Sequence, residues 1–468
     1  MSGLALTIPL AIVVLIAAWR WPYEALGFVV TGSIPYYSVL HVTNAETSSE
    51  ITGLVFGAAG VAAMGRLLTL KGRASLVFSS PYVILYAVFA GVWYLRWYLE
   101  PPSGASFEMR AGFADRAQVY MLVFSAVPFL GGMAIRSREE LMRTFRAMAW
   151  CGGVGSLILL AYWISGAPNL GPGWSAKWEP IRSLTGIILS FDLGAGLLAY
   201  LLVSDGLSNR VLRLFRWVPV AIVISELVRV GQRGPFVFLI VALLAYLGIG
   251  TRRAVIRVGL SMAVLIGVVA FVSLEIGDSY HATRAITAQN YTSEENGNRL
   301  AILQAAVGFI AERPIEGWGG SLIGQPVGFA ESDLGTWSYS HMMLLDPVLE
   351  TGLLGALPFW AMYLLATSRF VRLWRSMTSA DFALKAILVF FVYTMLESQV
   401  MGHVSSSKHA WLATGMFCGV TEWMLRAIPG TTAAKERVMS SLSTRRGAAS
   451  APLSRRPGPA FGRALRKP

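Results

Sequence analysis

Three polar features stand out in a chain that is otherwise mostly apolar. The first is Arg229-Val-Gly-Gln-Arg233-Gly-Pro. Arg229 and Arg233 are four apart and would share a face if one helix carried both. Glu226, three residues before Arg229, is placed to pair with it. Two arginines at the end of an apolar run are either anchors whose stems snorkel to the interface or donors for an anion. The second feature is Arg299, which follows the N-cap candidate Asn298. Free N–H groups at a helix start favour an anion, and a guanidinium beside them adds a donor fork suited to phosphate. The competing reading is an exposed arginine paired with Glu294 or Glu295. The third feature is His341, in Trp337-Ser-Tyr-Ser-His341-Met-Met, just before a long apolar run. An imidazole there can act as a general base near neutral pH, or can simply be an interfacial polar residue. His281, His403 and His409 compete for the same role. Trp318 and Trp337 could stack on sugar rings or belong to an interfacial aromatic belt.

Other chemistry is not signalled. There is no P-loop, no HExxH and no Gly-rich turn between a strand and a helix. The two cysteines, Cys151 and Cys418, lie far apart in apolar runs and form neither a disulfide framework nor a metal-ligand pattern. The residues therefore point to no metal and no cofactor. Asp192 is a lone acid in an apolar run, read as a partner for Arg182 or as a backbone-bonded residue. The other buried ionisable residues are few and scattered, which argues against a transport path.

The elements that must position these residues are membrane spans. The 468-residue chain is 55% apolar and 14% charged, whereas a soluble domain carries about 25% charged residues. A span needs about 20 mostly apolar residues, and about 12–13 runs qualify as transmembrane helices. The first run lacks a basic leader and a small-residue cleavage site, so it reads as a span. The net charge of +13 does not suggest nucleic acid, because the basic residues cluster in alternate loops: Arg66, Lys71 and Arg73; Arg136 to Arg146; Arg210 to Arg216; Arg252 to Arg257; Arg369 to Arg375. This is the positive-inside pattern, and it places the C-terminus in the cytoplasm. The expected organisation is one all-α polytopic membrane domain over 1–429. A basic, Ser- and Pro-rich tail over 430–468 is expected to be disordered.

The loop over 275–342 falls on the outer side. It holds the acids Glu275, Asp278, Glu294, Glu295, Glu312, Glu316, Glu331 and Asp333 against the arginines Arg284, Arg299 and Arg313. Within it, Leu300, Leu303, Val307 and Ile310 recur at helical spacing. They predict an amphipathic helix lying on the outer membrane face, ended by Arg313-Pro314.

In this order the segments resemble the O-antigen ligase and polymerase superfamily of membrane glycosyltransferases. Val230-Gly-Gln-Arg233-Gly-Pro-Phe236 is similar to the family's Ser-Arg-Gly span start. Asn296-Gly-Asn-Arg299-Leu with Glu312-Arg-Pro-Ile-Glu-Gly317-Trp-Gly319 is similar to its loop helix and following Pro-x-x-Gly-x-Gly. Ser340-His341 with Leu349-Glu350-Thr-Gly352-Leu-Leu-Gly355 is similar to its His stretch and Glu-x-Gly-Leu-Leu-Gly. Two positions depart from the pattern: Met342 follows His341 where the family commonly has Asn, and Gln232 stands where a small residue is commoner. The resemblance covers about 225–365. It implies a metal-independent GT-C-like fold in the bacterial inner membrane, with the active site facing the periplasm. The donor it implies is a polyprenyl-pyrophosphate-linked glycan, and the acceptor hydroxyl belongs to a lipid A core (ligase) or a growing glycan (polymerase). Arg229, Arg233 and Arg299 would hold the pyrophosphate, Trp318 and Trp337 the glycan, and His341 would act as base in an inverting transfer. The alternative is a lipid-linked glycan flippase or another polytopic transporter.

Overall fold

Proline and glycine punctuate a chain that is otherwise nearly all helix. A computed structural model describes residues 2–42, 49–70, 72–102, 117–164, 177–178, 181–204, 217–230, 237–242, 294–323, 325, 340, 342–376, 382–401, 403–405 and 407–427. The tail expected over 430–468 lies outside these residues, as do most of the apolar run at 235–250 and all of the one at 254–274. Helix α1 covers Ser2–Arg20, α2 Pro22–Thr31, α3 Ser33–Val42, α4 Ser49–Thr69, α5 Arg73–Phe78 and α6 Pro81–Leu99. Pro22 and Pro81 occupy first helical turns, where the missing N–H costs nothing. Ala117–Met133 is helical, with a π-helical stretch at Met121–Ala126 and α7 at Val127–Met133. Then come α8 (Arg138–Ile164), α9 (Gly186–Ser204), α10 (Trp217–Val230), α11 (Glu294–Glu312), α12 (Asp346–Ser376), α13 (Phe382–Met401) and α14 (Lys408–Ala427). One departure from an all-α chain is a two-stranded antiparallel hairpin, Lys177–Trp178 with Ile181–Thr185. It falls in a loop, where β-branched Ile181 and Thr185 favour an extended chain.

Among the described residues, three helices are long and apolar enough to cross a membrane: Pro81–Leu99, Arg138–Ala161 and Asp346–Arg375. Shorter apolar helices accompany them, including Val55–Thr69 and Phe191–Ser204. Together they make a polytopic membrane protein. Met1–Thr421 forms one compact unit and Glu422–Pro468 a second.

Close packing in the first unit uses small residues and aromatic rings. Helices α8 and α9 touch through Gly152 and Gly196, where a Cβ on Gly152 would lie 2.7 Å from the Gly196 Cα. This is the small-residue contact that apolar surroundings favour between helices. Trp411 packs edge-on to Tyr86 at 5.0 Å and to Phe359 at 6.0 Å, joining α6, α12 and α14.

The break between α2 and α3 at Gly32 is supported from two directions. An unbroken helix would bond the Ser33 N–H to the Val29 carbonyl. Instead Ser33 N–H donates to Asp192 Oδ2 at 2.9 Å, and the Val29 carbonyl accepts from Lys408 Nζ at 3.0 Å. An acid on α9 and a base on α14 thus take over the two halves of one lost backbone bond. That matters because an unpaired backbone group in a dry interior costs several kcal/mol.

Candidate functional site

The site grows from a helix that ends where proline stops it. α11 begins at Glu294, four residues before the expected cap, so Asn298 is internal and Arg299 lies in the second turn. Glu294 and Glu295 stand in the first turn, where the dipole favours acids. The face that packs also differs from the expected stripe. Ile302, Ala305, Ala306 and Phe309, with Ile310 from the expected stripe, close over Leu322, Leu345 and Leu349, while Leu303 and Val307 of that stripe are exposed. Residues at i, i+3 and i+4 line either face of this helix, because apolar residues occur on both.

After Pro314 the chain makes two left-handed steps, Gly317 at φ +68° and Gly319 at φ +57°. It docks onto a break in α12 at Gly352, where φ is 57° and ψ is −160°. That conformation is essentially reserved for glycine. The break frees backbone groups that the turn then satisfies. Leu353 N–H donates to the Pro314 carbonyl at 2.9 Å and Leu354 N–H to the Ile315 carbonyl at 3.2 Å. Trp318 N–H donates to the Leu349 carbonyl at 2.9 Å. No side chain fits between the strands of this lock. A Cβ on Gly352 would lie 2.6 Å from Gly317 N, and one on Gly317 would lie 2.6 Å from Thr351 N.

The C-terminal end of α6 completes the lock. Arg96 donates to the Gly317 carbonyl at 2.9 Å, and Ser321 N–H donates to the Glu100 carbonyl at 2.9 Å. Arg313 pairs with Glu100 at 3.1 Å and lies over the Trp318 ring at 4.2 Å. Trp318 Nε1–H donates to the Phe309 carbonyl at 2.8 Å. Trp318 is therefore bound on one ring face by Arg313 and at its nitrogen by the helix end.

Beside the lock lies a buried polar knot. Glu350, two residues before Gly352, accepts from Trp93 and from Trp97, the latter at 3.1 Å. Its other oxygen meets His403 Nε2 at 2.5 Å, and His403 Nδ1 lies 2.7 Å from Ser405 Oγ. Burial alone would lower the His403 pKa. The carboxylates of Glu350 and Asp346 outweigh it and raise it to about 9. The two carboxylates thus favour the charged form of His403, and both of its nitrogens are engaged within the protein. Asp346 accepts from Ser340 and from the Val404 N–H at 3.0 Å. Ser340 Oγ also accepts the Met342 N–H at 2.9 Å, and Met343 N–H donates to the Ser398 carbonyl at 3.1 Å. The residues on both sides of position 341 are therefore pinned. Asp346, Glu350 and His403 could by donor type hold a cation, but each already has hydrogen-bonding partners within the protein.

His341, Arg233 and Trp337 lie outside the described residues, as does His281. Arg229 and Arg299 lie in α10 and α11, in helices whose side chains at those positions are not described. His409 is buried and lies 3.3 Å from Asp192. With Lys408 it makes a gathered ionic cluster where the sequence shows only scattered residues, because the helices bring together positions more than 200 apart.

Residues 218–360 match the family model described as O-Antigen ligase. The matched segment is similar to that family's domain and covers about a third of the chain. The match supports the O-antigen ligase and polymerase superfamily and, in general terms, a membrane glycosyl-transferring enzyme of polysaccharide assembly. A search of curated proteins matches none to this chain. The matched segment contains nearly all of α10, with α11, the glycine lock and the first half of α12. It excludes Trp93, Trp97, Arg96 and Glu100 of α6 and His403, which the structure adds to it. One signal in the sequence could have found the α6 group: Trp93, Trp97 and Glu100 recur at i, i+4 and i+7, so one face carries all three.

Proposed function

We propose that the protein transfers a glycan from a polyprenyl-pyrophosphate donor to an acceptor hydroxyl, as an O-antigen ligase or polymerase, on the periplasmic face of the bacterial inner membrane. The observation that carries this reading is the family-model match, which holds Arg229, Arg233, Arg299 and His341 in one ordered segment. The acceptor oxygen forms a bond to the anomeric carbon as the bond from that carbon to the pyrophosphate oxygen breaks. In-line attack inverts the centre. His341 takes the hydroxyl proton, and the lipid pyrophosphate leaves with added negative charge. Arg233 and Arg299 offset that growing charge, with Arg229 as a further contact. Trp337 and Trp318 border the glycan, Trp318 through whatever part of its ring Arg313 leaves open. The glycine lock and the Asp346–Ser340 contact support this assignment: they hold the chain before and after the proposed base position. The transfer uses charged side chains of the protein and calls for no cofactor.

The test is Arg299→Ala in cells that depend on this protein for surface glycan. Membrane insertion should persist while glycan transfer is lost, and full glycan output from that variant would overturn the assignment. The lipid-linked glycan that accumulates on deletion separates the two acceptors: single repeats indicate a polymerase, full-length unattached chains a ligase.

A second reading, a lipid-linked glycan flippase or other polytopic transporter, is favoured by one observation, the buried Asp192, Lys408 and His409 cluster. Impermeant labelling of cysteines placed at 233, 299 and 341 discriminates: labelling from the cytoplasm breaks the enzyme reading.

A further inference from the structure

A cavity of about 860 Å³ opens at the end of α1 opposite its N-terminus, a size usual for ligand sites. Its walls are apolar: Leu15 and Ile16 from α1 and Ala62 from α4. Its mouth is cationic and aromatic, with Arg20, Arg66 and Arg143 beside Trp19 and Trp21. The three guanidiniums differ in their partners. Arg143 is engaged by Glu24 through two hydrogen bonds, at 2.7 Å and 3.1 Å. Arg66 lies over the Trp19 ring at 5.7 Å and Arg20 over the Trp21 ring at 6.0 Å. Neither Arg20 nor Arg66 has a carboxylate within ion-pair distance among the described residues. The cavity mouth therefore carries two cations whose charge no described acid balances.

Three helices converge to make it: the C-terminal ends of α1 and α4 and the N-terminal turn of α8. Basic residues at all three ends fit the inner side under the positive-inside rule. The exposed apolar side chains Ile12, Val13, Ile16 and Trp19 continue along α1 from the mouth. This is a polar-headed, apolar-tailed track.

We infer that this cleft binds one anionic membrane phospholipid, its headgroup phosphate between Arg20 and Arg66 and an acyl chain along α1 and the Ala62 face of α4. The guanidinium forks match phosphate oxygens, tryptophan rings suit the headgroup level, and Arg143 is held back by Glu24 to close the third side. The site uses none of the residues proposed for glycan transfer and does not depend on the function proposed for them.

The full-length protein, purified in detergent, is supplied with equal amounts of phosphatidylglycerol and phosphatidylcholine, and retained lipid is measured by native mass spectrometry. The wild type should retain phosphatidylglycerol preferentially. Arg20→Gln with Arg66→Gln should lower that preference by about fivefold per arginine, with Arg→Lys at both positions falling between. Equal retention of both lipids by the wild type overturns the inference. So does displacement of bound phosphatidylglycerol by millimolar inorganic phosphate, which would mark a free-anion site. A photoreactive phosphatidylglycerol probes the wild type directly and serves if the double variant fails to fold. Crosslinks in 15–21 and 62–66 are expected, and crosslinks confined to other segments overturn the inference.

Discussion

Gly352→Ala tests whether the glycine lock holds the α11 turn to α12. The Gly352 backbone (φ 57°, ψ −160°) is one that only glycine adopts readily, and forcing alanine there costs about 1–3 kcal/mol. The new Cβ would also lie 2.6 Å from Gly317 N, so the turn must retreat. Retreat breaks three bonds, from Leu353, Leu354 and Trp318 to Pro314, Ile315 and Leu349, each contributing about 0.5–1.5 kcal/mol. Alanine lets α12 relax toward a continuous helix, which re-pairs the freed N–H groups within α12. The expected outcome is therefore release of the turn with α12 still folded and inserted. Taking about 2.5 kcal/mol as the lower end of the sum, and about 1.4 kcal/mol per tenfold, the turn should open at least about sixtyfold more often. Hydrogen exchange at the Trp318 amide reads this directly, as faster exchange by at least that factor, and glycan transfer should fall with it. Gly308→Ala is the control: a Cβ there meets nothing within 4 Å. Unchanged Trp318 exchange with full transfer in Gly352→Ala would refute the lock.

Three other outcomes follow from the buried groups. His403, raised to about 9 in the folded protein from 6.5 unfolded, contributes stability that is complete below pH 6.5 and is lost as pH rises through about 9. Thermal stability should fall between pH 7 and pH 10 by on the order of 3 kcal/mol, and His403→Gln should flatten that dependence; a slope unchanged by the substitution would show that another group sets it. Asp192→Asn or Lys408→Met alone should destabilise by about 3–5 kcal/mol, because the first leaves the Lys408 ammonium without its carboxylate and the second leaves that carboxylate and the Val29 carbonyl unpaired. The double variant should lose less than the sum, measured by denaturation in a double-mutant cycle; strict additivity would dissolve the pairing. Arg313→Ala removes a partly exposed ion pair and its stacking on Trp318, so it should cost only about 1 kcal/mol while speeding proteolysis after α11.

How legible the site was depends on the range of each contact. The apolar runs, the outer loop and the order of Arg229, Arg233, Arg299 and His341 are properties of short windows, and the family match over 218–360 supports the resemblance read from them. The face of α11 was only partly legible: Ile310 of the expected stripe packs on the core, but Leu303 and Val307 satisfy the same spacing as Ile302, Ala306 and Phe309, and which set is buried depends on where Leu349 and Leu322 stand. The helix start was also displaced, because Asn298 suits a cap locally while Glu294 and Glu295 suit a first turn four residues earlier.

The two glycine motifs make the division plain. The sequence by itself determined that Pro314 ends a helix, that Gly317 and Gly319 allow left-handed turns and that a long apolar run begins near Asp346. Only the tertiary structure decided that Gly317 and Gly352 are two sides of one contact and that α6 braces them through Arg96 and Glu100. It also decided that Glu350 meets His403 in a buried pair. Local conformation follows from each residue's own sterics and its neighbours within a turn. Backbone-to-backbone contacts between distant segments leave no period in the sequence, because the groups that make them are the same in every residue.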